Sequence, residues 1–347
     1  MANIDNKNYI DNFIQYIMKK IGFLGLSHIH TQSFAKALIK RKNIKVIGLW
    51  DSDIKLSKKY SKFFKCNYFK NYKDVLHIKE LDAVIICSET NLHEKLIYEA
   101  SQNKKHIFVE KPIGFGHDDS LRMAKIIENS KVIFQTGYFF RSKSVVRKIK
   151  ELIIAGSFGK ISRIEINNSH DGIFRNIFRN YQWMTNKNKA GVGAFGDLGT
   201  HALDLLLWFK KDLISVSATF NNITGKYKNI EESGTALFKF KSGTIAKITS
   251  GWIDFYQPID IMISGTKGFA YIANDKIYFK SKGSNIKQIT KLPKPLPHAL
   301  DLFLDSILTN RKKYLIKPIE AAIRSSVMET IYKSEKSKYW KRIKIIK

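Results

Sequence analysis

Short apolar runs alternate with helical patterns through the first 140 residues. The runs "KIGFLGL" (20–26), "IKVIGLW" (44–50), "DAVIICS" (82–88), "HIFVE" (106–110) and "KVIFQTGY" (131–138) read as strands. Between them lie helical stretches at 31–41, 53–62, 91–102 and 117–130. In the first of these Phe34, Ala35, Leu38 and Ile39 make one apolar face. Strands that are apolar throughout and alternate with helices predict a parallel sheet covered on both sides, a doubly wound α/β domain.

After residue 140 the period changes. A helix over 144–156 leads into the alternating run "KISRIEINNSH". The apolar stretch "GDLGTHALDLLLWF" (196–209) is helical, and the strand-like runs "ISVSATF", "GTALFKF", "GTIAKITSGW", "IDIMISGTKGFAYIA" and "KIYFKS" follow it. Alternation with short turns predicts an antiparallel sheet with one solvated face. The tail holds two amphipathic helices, "HALDLFLDSILTN" and "IEAAIRSSVMETIYKSEKS", the second opened by Lys317-Pro318. The division expected is an extension at 1–18, a first domain at 19–140 and a second at 141–347.

With 347 residues, 44% hydrophobic and 26% charged, the chain has the composition of a two-domain globular protein. It has no run of eighteen apolar residues and no signal-peptide pattern at its start. Cys66 and Cys87 are its two cysteines, which points to a reducing cytoplasm and not to a disulfide framework. The net charge of +30 raises nucleic-acid binding, but it comes from 50 Lys against 10 Arg, spread along the whole chain. Base and phosphate readers favour the Arg fork, so diffuse lysine speaks for solubility and against a nucleic-acid site.

The first strand runs into the first helix through "GLSHIH" (25–30). A dinucleotide fingerprint has glycine at the first, third and sixth of these positions. Here Gly25 is in place, with Ser27 and His30 at the others. Gly25 can make the tight turn, and Ser27 is small enough for backbone amides to approach a diphosphate. The second strand ends in Asp51, 26 residues on, where a carboxylate takes the adenosine ribose hydroxyls and repels a 2′-phosphate. That favours NAD over NADP. The competing role for Asp51 is a cap on the helix after it.

In "GDLGTHALDLLLWF" Asp197 and His201 stand four apart, on one helix face, with Asp204 three further on. Three readings fit: a helix cap with a buried histidine, a metal site, or an acid–base pair. A metal is not expected, because no third ligand sits at ligand spacing and Asp204 points partly away.

These residues, with others, carry a resemblance. "VEKPIG" (109–114), "TNLHEKLIYEA" (90–100), "GYFFRSKSVVRKIKELI" and "WMTNKNKAGVGAFGDLGTHALDLLLWF" resemble, in order, four motifs of the Gfo/Idh/MocA oxidoreductases. The resemblance covers about residues 19–342. It implies a Rossmann domain followed by an α+β domain with an open, mostly antiparallel sheet. It implies hydride transfer between NAD(P) and a secondary alcohol of a sugar, sugar derivative or cyclitol. Lys111, Asp197 and His201 match the family's catalytic residues. The cofactor residues implied are Gly25, Ser27, His28, Ile29, Asp51, Ser88, Thr90, Asn91, His93, Glu110 and Lys111. Tyr138, Arg141 and Trp183 are candidates for the substrate side, with Arg175 and Arg179 as cations suited to a phosphorylated or acidic sugar. Two departures are Ser27, for the usual middle glycine, and Val192, within what is often a glycine triplet. Ser27 keeps open a second reading, a nucleotide-binding regulatory or scaffold protein. An open sheet face further suggests a homodimer or homotetramer.

Overall fold

The computed structural model describes residues 18–255 and 260–344. The extension expected at the N-terminus therefore lies outside the described residues, Met18 apart. The chain forms two compact units that interleave in sequence. One runs to Gly114 and adds Asp119–Gly137 and Pro297–Ala322; the other takes Phe115–Asp118, Tyr138–Leu296 and the residues from Ile323.

The first unit is built on six strands, β1 (Lys19–Leu24), β2 (Ile44–Trp50), β3 (Asn67–Tyr68), β4 (Ala83–Ile86), β5 (His106–Val109) and β6 (Phe134–Thr136). They form a fully parallel sheet in the order β3-β2-β1-β4-β5-β6. The order reverses between β1 and β4, the signature of a doubly wound sheet. Ile21, Phe23 and Leu24 of β1 and all four residues of β4 are fully buried, which is why these runs are apolar on both faces. Helices α1 (Thr31–Leu38), α2 (Ile54–Phe64), α3 (Tyr72–Leu76), α4 (His93–Gln102) and α5 (His117–Ser130) make the connections. Leu24 pairs with Trp50 and Ile86, and Ile86 with Val109, so Gly25, Asp51, Cys87 and Glu110 leave the sheet together at the carboxyl ends of their strands.

The second unit opens with α6 (Ser144–Ile154) and β7 (Ile161–Ser169), followed by a short α7 (Lys187–Ala190) and the long α8 (Ala194–Phe209). Strands β8 (Leu213–Asn221), β9 (Ser233–Phe240), β10 (Ile245–Gly251), β11 (Asp260–Gly265), β12 (Gly268–Ala273), β13 (Lys276–Ser281) and β14 (Lys287–Ile289) follow, and β15 (Lys341–Arg342) closes one edge. These strands and β7 lie in the order β14-β13-β12-β11-β7-β10-β9-β8-β15. All neighbours are antiparallel except β7 and β10. A purely antiparallel reading of the alternation missed that pair, because β7 is separated in sequence from its partners by α8.

The sheet's two faces differ as the alternation requires. One transverse row, Ile277, Ile272, Ile261, Ile166, Ile248 and Ala236, is buried on the α8 side. The next row, Tyr278, Tyr271, Met262, Glu165, Lys247 and Leu237, turns the other way. Helix α8 is buried almost all round, which accounts for the density of leucine in its sequence.

Between β14 and β15 lie two helices, α9 (Ala299–Thr309) and α10 (Pro318–Ser337), the latter starting at the expected proline. The expected division at 140 falls close to the observed one at Gly137. A linear division cannot place α9, however, which packs with the first unit: Phe303 lies against Phe108 of β5 with ring centroids 6.0 Å apart. Arg41 pairs with Asp301 and Asp305 on the same helix.

Candidate functional site

In the first unit the loop between β1 and α1 is shaped by Gly25, whose φ of +88° falls in the left-handed region that disfavours a side chain. A Cβ there would stand 2.4 Å from the Cβ of Ser88, so Ser88 backs the turn. The backbone N–H of Leu26 donates to Asp51 Oδ2 at 2.5 Å, and that of Asp53 to Oδ1 at 2.7 Å. Asp51 thus braces the loop as well as ending β2. Burial pushes its carboxyl above the usual value, against the pull of these two donors. The helix cap is Asp53, which accepts from the N–H of Lys55, so the capping role weighed for Asp51 falls to its neighbour. A tight glycine turn, a helix opening behind it and an acid at the end of β2 fit a dinucleotide.

Glu110 is fully buried just beyond β5. His30 Nδ1 lies 3.0 Å from its Oε1 and His28 Nε2 3.9 Å from its Oε2. The N–H of Lys111 donates to Oε2 at 3.1 Å. Burial acts to raise the Glu110 carboxyl, but the two imidazoles and Lys111 outweigh it and hold it well below the usual range. The ring atoms of His28 and His30 and a Glu110 oxygen lie within 4.8 Å of one another, a spacing that raises the question of a cation. His28 Nδ1 accepts the N–H of His30 at 3.2 Å, so one of these ring atoms is already engaged within the loop.

Other expected residues occupy more structural positions. Thr90 is buried on the 3-10 turn Thr90–Leu92, Asn91 is exposed on it, and Ile29 and Ser27 are half-buried. His93 opens α4 as expected, but its ring is buried and its Nδ1 meets the Pro112 carbonyl at 3.0 Å. Burial lowers its pKa, the carbonyl contacts opposing. Through Nδ1 it anchors the segment after Lys111, while its Nε2 is buried without a hydrogen-bond partner among the described residues. Lys111 itself is 5% exposed, with a cis bond to Pro112.

In the second unit Asp197 and His201 share a face of α8. The Trp252 Nε1–H donates to Asp197 Oδ2 at 3.1 Å. Phe178 packs on that indole with centroids 4.2 Å apart. His170 is close enough to feel Asp197: burial lowers its pKa and the Asp197 charge works against that. The His201 ring is 4% exposed and sits edge-on among Phe139, Phe140 and Tyr138, at centroid distances of 5.1, 5.2 and 6.0 Å. The start of α8 is held by Glu231, whose Oε1 accepts the N–H of Gly193 at 2.9 Å. Val192 packs over Gly196, where a Cβ would meet it at 2.2 Å, so the valine has a defined place at this turn.

Tyr138 and Arg141 are committed to α8. The Tyr138 hydroxyl pairs with Thr200 Oγ1 at 3.0 Å, and burial raises its pKa. Arg141 donates to both oxygens of Asp204, through Nε at 2.8 Å and Nη2 at 2.5 Å, and Arg324 adds a third bond at 2.9 Å. Asp204 is therefore the centre of a buried ion cluster. Arg175 pairs with Asp171, while Arg179 lines an open cavity of about 960 Å³ with Phe178, Lys187, Lys226 and Tyr227. Trp183 lies on the adjoining turn Gln182–Thr185, half-buried.

Sequence reasoning passed over His30, Trp252 and Arg324. Trp252 had a usable signal: a buried indole needs an acceptor for its N–H, and "SGW" ends an inward-facing strand.

Two family models match the chain: "Oxidoreductase family, NAD-binding Rossmann fold" over residues 19–138 and "GFO/IDH/MocA C-terminal domain" over 146–271. Myo-inositol 2-dehydrogenase of Thermotoga maritima is 27% identical over 270 residues, which cover 74% of this chain and 75% of that enzyme. Glucose-6-phosphate 3-dehydrogenase of Bacillus subtilis is 28% identical over 202 residues, covering 58% of this chain and 56% of that enzyme. In fold the chain is similar to levoglucosan dehydrogenase, solved with NADH and L-sorbose, with a TM-score of 0.81 at 15% identity, over 94% of this chain and 99% of that one.

Proposed function

The chain belongs to the Gfo/Idh/MocA family of NAD-binding oxidoreductases, and we propose that it moves a hydride between NAD and a secondary alcohol of a sugar, sugar derivative or cyclitol. The observation that carries this reading is the setting of His201. Its imidazole is walled by three aromatic rings, one helical turn from a carboxylate that Trp252 fixes in place. A buried base beside an oriented acid is what removal of a hydroxyl proton needs.

The cofactor, when bound, supplies the hydride acceptor or donor. Gly25, Ser27, Asp51 and Ser88 would hold it, by the turn and the acid described above. His201 takes the hydroxyl proton on oxidation and returns it on reduction. Asp197 orients that hydroxyl and stabilises the imidazolium. The Lys111 ammonium stabilises the developing alkoxide electrostatically. Asp51 favours NAD over NADP, because its carboxylate at the ribose end of β2 repels a 2′-phosphate.

The relatives that act on myo-inositol and on glucose 6-phosphate support a polyhydroxylated substrate. The free thiols of Cys66 and Cys87 suit a reducing compartment, and among the described residues no helix is long and apolar enough to cross a membrane. A second copy covering the row of Tyr271, Tyr278 and Met262 would bury the apolar part of the outer sheet face. Light scattering should then give at least a dimer, and Met262→Glu with Tyr271→Glu a monomer.

The deciding experiment is a fluorescence titration with NADH and NADPH, followed by a screen of cyclitols, sugars and sugar phosphates. Micromolar NADH binding and turnover of one polyol support the proposal. NADH binding with no turnover of any member leaves the regulatory reading that Ser27 keeps open.

A further inference from the structure

The second unit holds an open cavity of about 960 Å³ whose lining includes neither Asp197 nor His201. It lies between the turns of residues 176–188 and the loop of residues 226–229, and its volume suits a small-molecule site. The lining carries four cations, Arg179, Lys187, Lys226 and Lys228, and no acid. Amide side chains, Gln182 and Asn188 among them, make up much of the rest.

That charge balance is local. Elsewhere in this unit lysines stand beside acids: Lys247 pairs with Glu165 at 2.8 Å, Lys143 with Asp275 at 3.0 Å and Lys210 with Asp212 at 2.9 Å. The basic cavity beside α10 includes Glu329, which Lys333 pairs. Arg175, close in sequence to the cavity, is taken by Asp171. Among the described residues Arg179, Lys187 and Lys228 have no carboxylate partner. Cations that converge on one concave surface focus a positive field into it, and here the counter-charge is left to a ligand.

The walls are held before anything binds. Glu232 is fully buried and accepts the N–H groups of Ile223 at 2.8 Å and Thr224 at 2.7 Å, together with the Thr224 hydroxyl. Its charge is spent on its own loop. Asn222 Nδ2 donates to the carbonyls of Tyr227 at 2.9 Å and Ile230 at 2.8 Å. Lys226 Nζ crosses to the other wall, where it donates to the Ile173 carbonyl at 2.8 Å and to Asn176 Oδ1 at 3.2 Å. Walls fixed in this way keep the ordering cost of binding low. Phe178 ties the cavity to the candidate chemistry. Its ring lines the cavity and packs on the Trp252 indole with centroids 4.2 Å apart, and that indole donates to Asp197.

We propose that this cavity receives an acidic group, a phosphate or a carboxylate, carried by the polyol substrate at a position remote from the carbon that is oxidised. Arg179 offers its oxygens a planar fork, and Lys187 and Lys228 offer point charges. Binding energy from a remote group of this kind holds the reacting hydroxyl in place. The proposal rests on the reading of the second unit as the substrate unit and names the substrate class, an acidic sugar or cyclitol.

The test measures Kd by calorimetry on the full chain, at physiological ionic strength, for probes that share a scaffold. Glucose is compared with glucose 6-phosphate and with glucuronate, and myo-inositol with its 1-phosphate. Arg179→Gln with Lys228→Gln removes charge from the cavity. Lys336→Gln with Lys341→Gln removes the same charge from the basic cavity beside α10. Thermal unfolding checks both variants. At least one acidic probe is expected to bind wild type about tenfold more tightly than its neutral parent, the worth of hydrogen bonds to a charged group. The first variant should lose that preference and the second should keep it. A preference confined to phosphate or to carboxylate supports the proposal and names the acid. No preference in any pair overturns it, whether or not the neutral probes bind. A preference that survives in the first variant, or that the second also abolishes, overturns it in favour of the diffuse charge of the chain. Turnover with NAD+ separates this proposal from hydride transfer itself. Oxidation of a neutral polyol with no acidic preference overturns the pocket alone. The preference without turnover of any polyol overturns hydride transfer and leaves the pocket as an acid-binding site.

Discussion

The indole N–H of Trp252 donates to Asp197 Oδ2 at 3.1 Å, and the ring that carries it is completely buried against Phe178. A carboxylate on α8 is thereby fixed from the residue that follows β10. The bond limits the rotamers of Asp197, as positioning a reacting hydroxyl beside His201 requires.

Replacing Trp252 with Phe keeps the stacking and deletes the donor. The expected result is a fall in kcat of about tenfold, the cost of one hydrogen bond to a charged group, with KM changed less than twofold. Steady-state kinetics check it, with the melting temperature confirming that the fold survives. Unchanged kcat would remove Asp197 orientation from the account.

Asp204→Asn acts on stability instead. It leaves Arg141 and Arg324 facing a neutral amide inside the protein, where Asp204 and Arg324 are 2% and 3% exposed. Breaking a buried ion cluster from one side costs about 3–5 kcal/mol. Urea unfolding should show a loss of that order. A loss below about 1 kcal/mol would mean that the cluster is hydrated and weak.

Asp51→Ala should weaken NADH binding and narrow the gap between NADH and NADPH, since the carboxylate both braces Leu26 and disfavours a 2′-phosphate. About tenfold in Kd for NADH is expected, from a loop left with one fewer charged acceptor. Competition binding measures both. Equal losses for the two nucleotides would assign Asp51 to loop structure only.

The depressed carboxyl of Glu110 has a consequence at acid pH. A carboxyl whose folded value lies below its unfolded one stabilises the protein above the unfolded value of about 4.3 and loses that contribution as pH falls. Wild type should exceed Glu110→Gln by about 2 kcal/mol at neutral pH. The difference should shrink below about pH 4. Urea-unfolding curves at pH 7 and pH 3.5 distinguish this from a constant difference, which would mean that Glu110 contributes through packing alone.

Most of the fold was legible in the sequence because both periods were clean. The runs around Ile21 and Ile85 are apolar on both faces, as buried parallel strands are, and Ile261 alternates with Met262 as a one-sided sheet does. What escaped was non-local. Nothing near Leu300 says that α9 packs on β5, and nothing near Ile166 says that β7 pairs in parallel with β10. In the site, Lys111, Asp197 and His201 stood out through motif spacing. The partners of Arg141 and His93 could not be read from their motifs, because a charged or ring side chain looks the same in sequence whatever it meets, here Asp204 and the Pro112 carbonyl. The partner that decides the role lies far off in sequence.

The central claim is tested most directly by single-turnover oxidation of a polyol with NAD+, comparing wild type with His201→Asn and Lys111→Ala after equal NADH affinity has been established for all three. The account predicts that both variants bind NADH as wild type does and form it from the polyol about 10²–10⁴-fold more slowly. Turnover within about threefold of wild type in either variant, well short of that loss, would contradict the assignment of His201 and Lys111 to the chemistry.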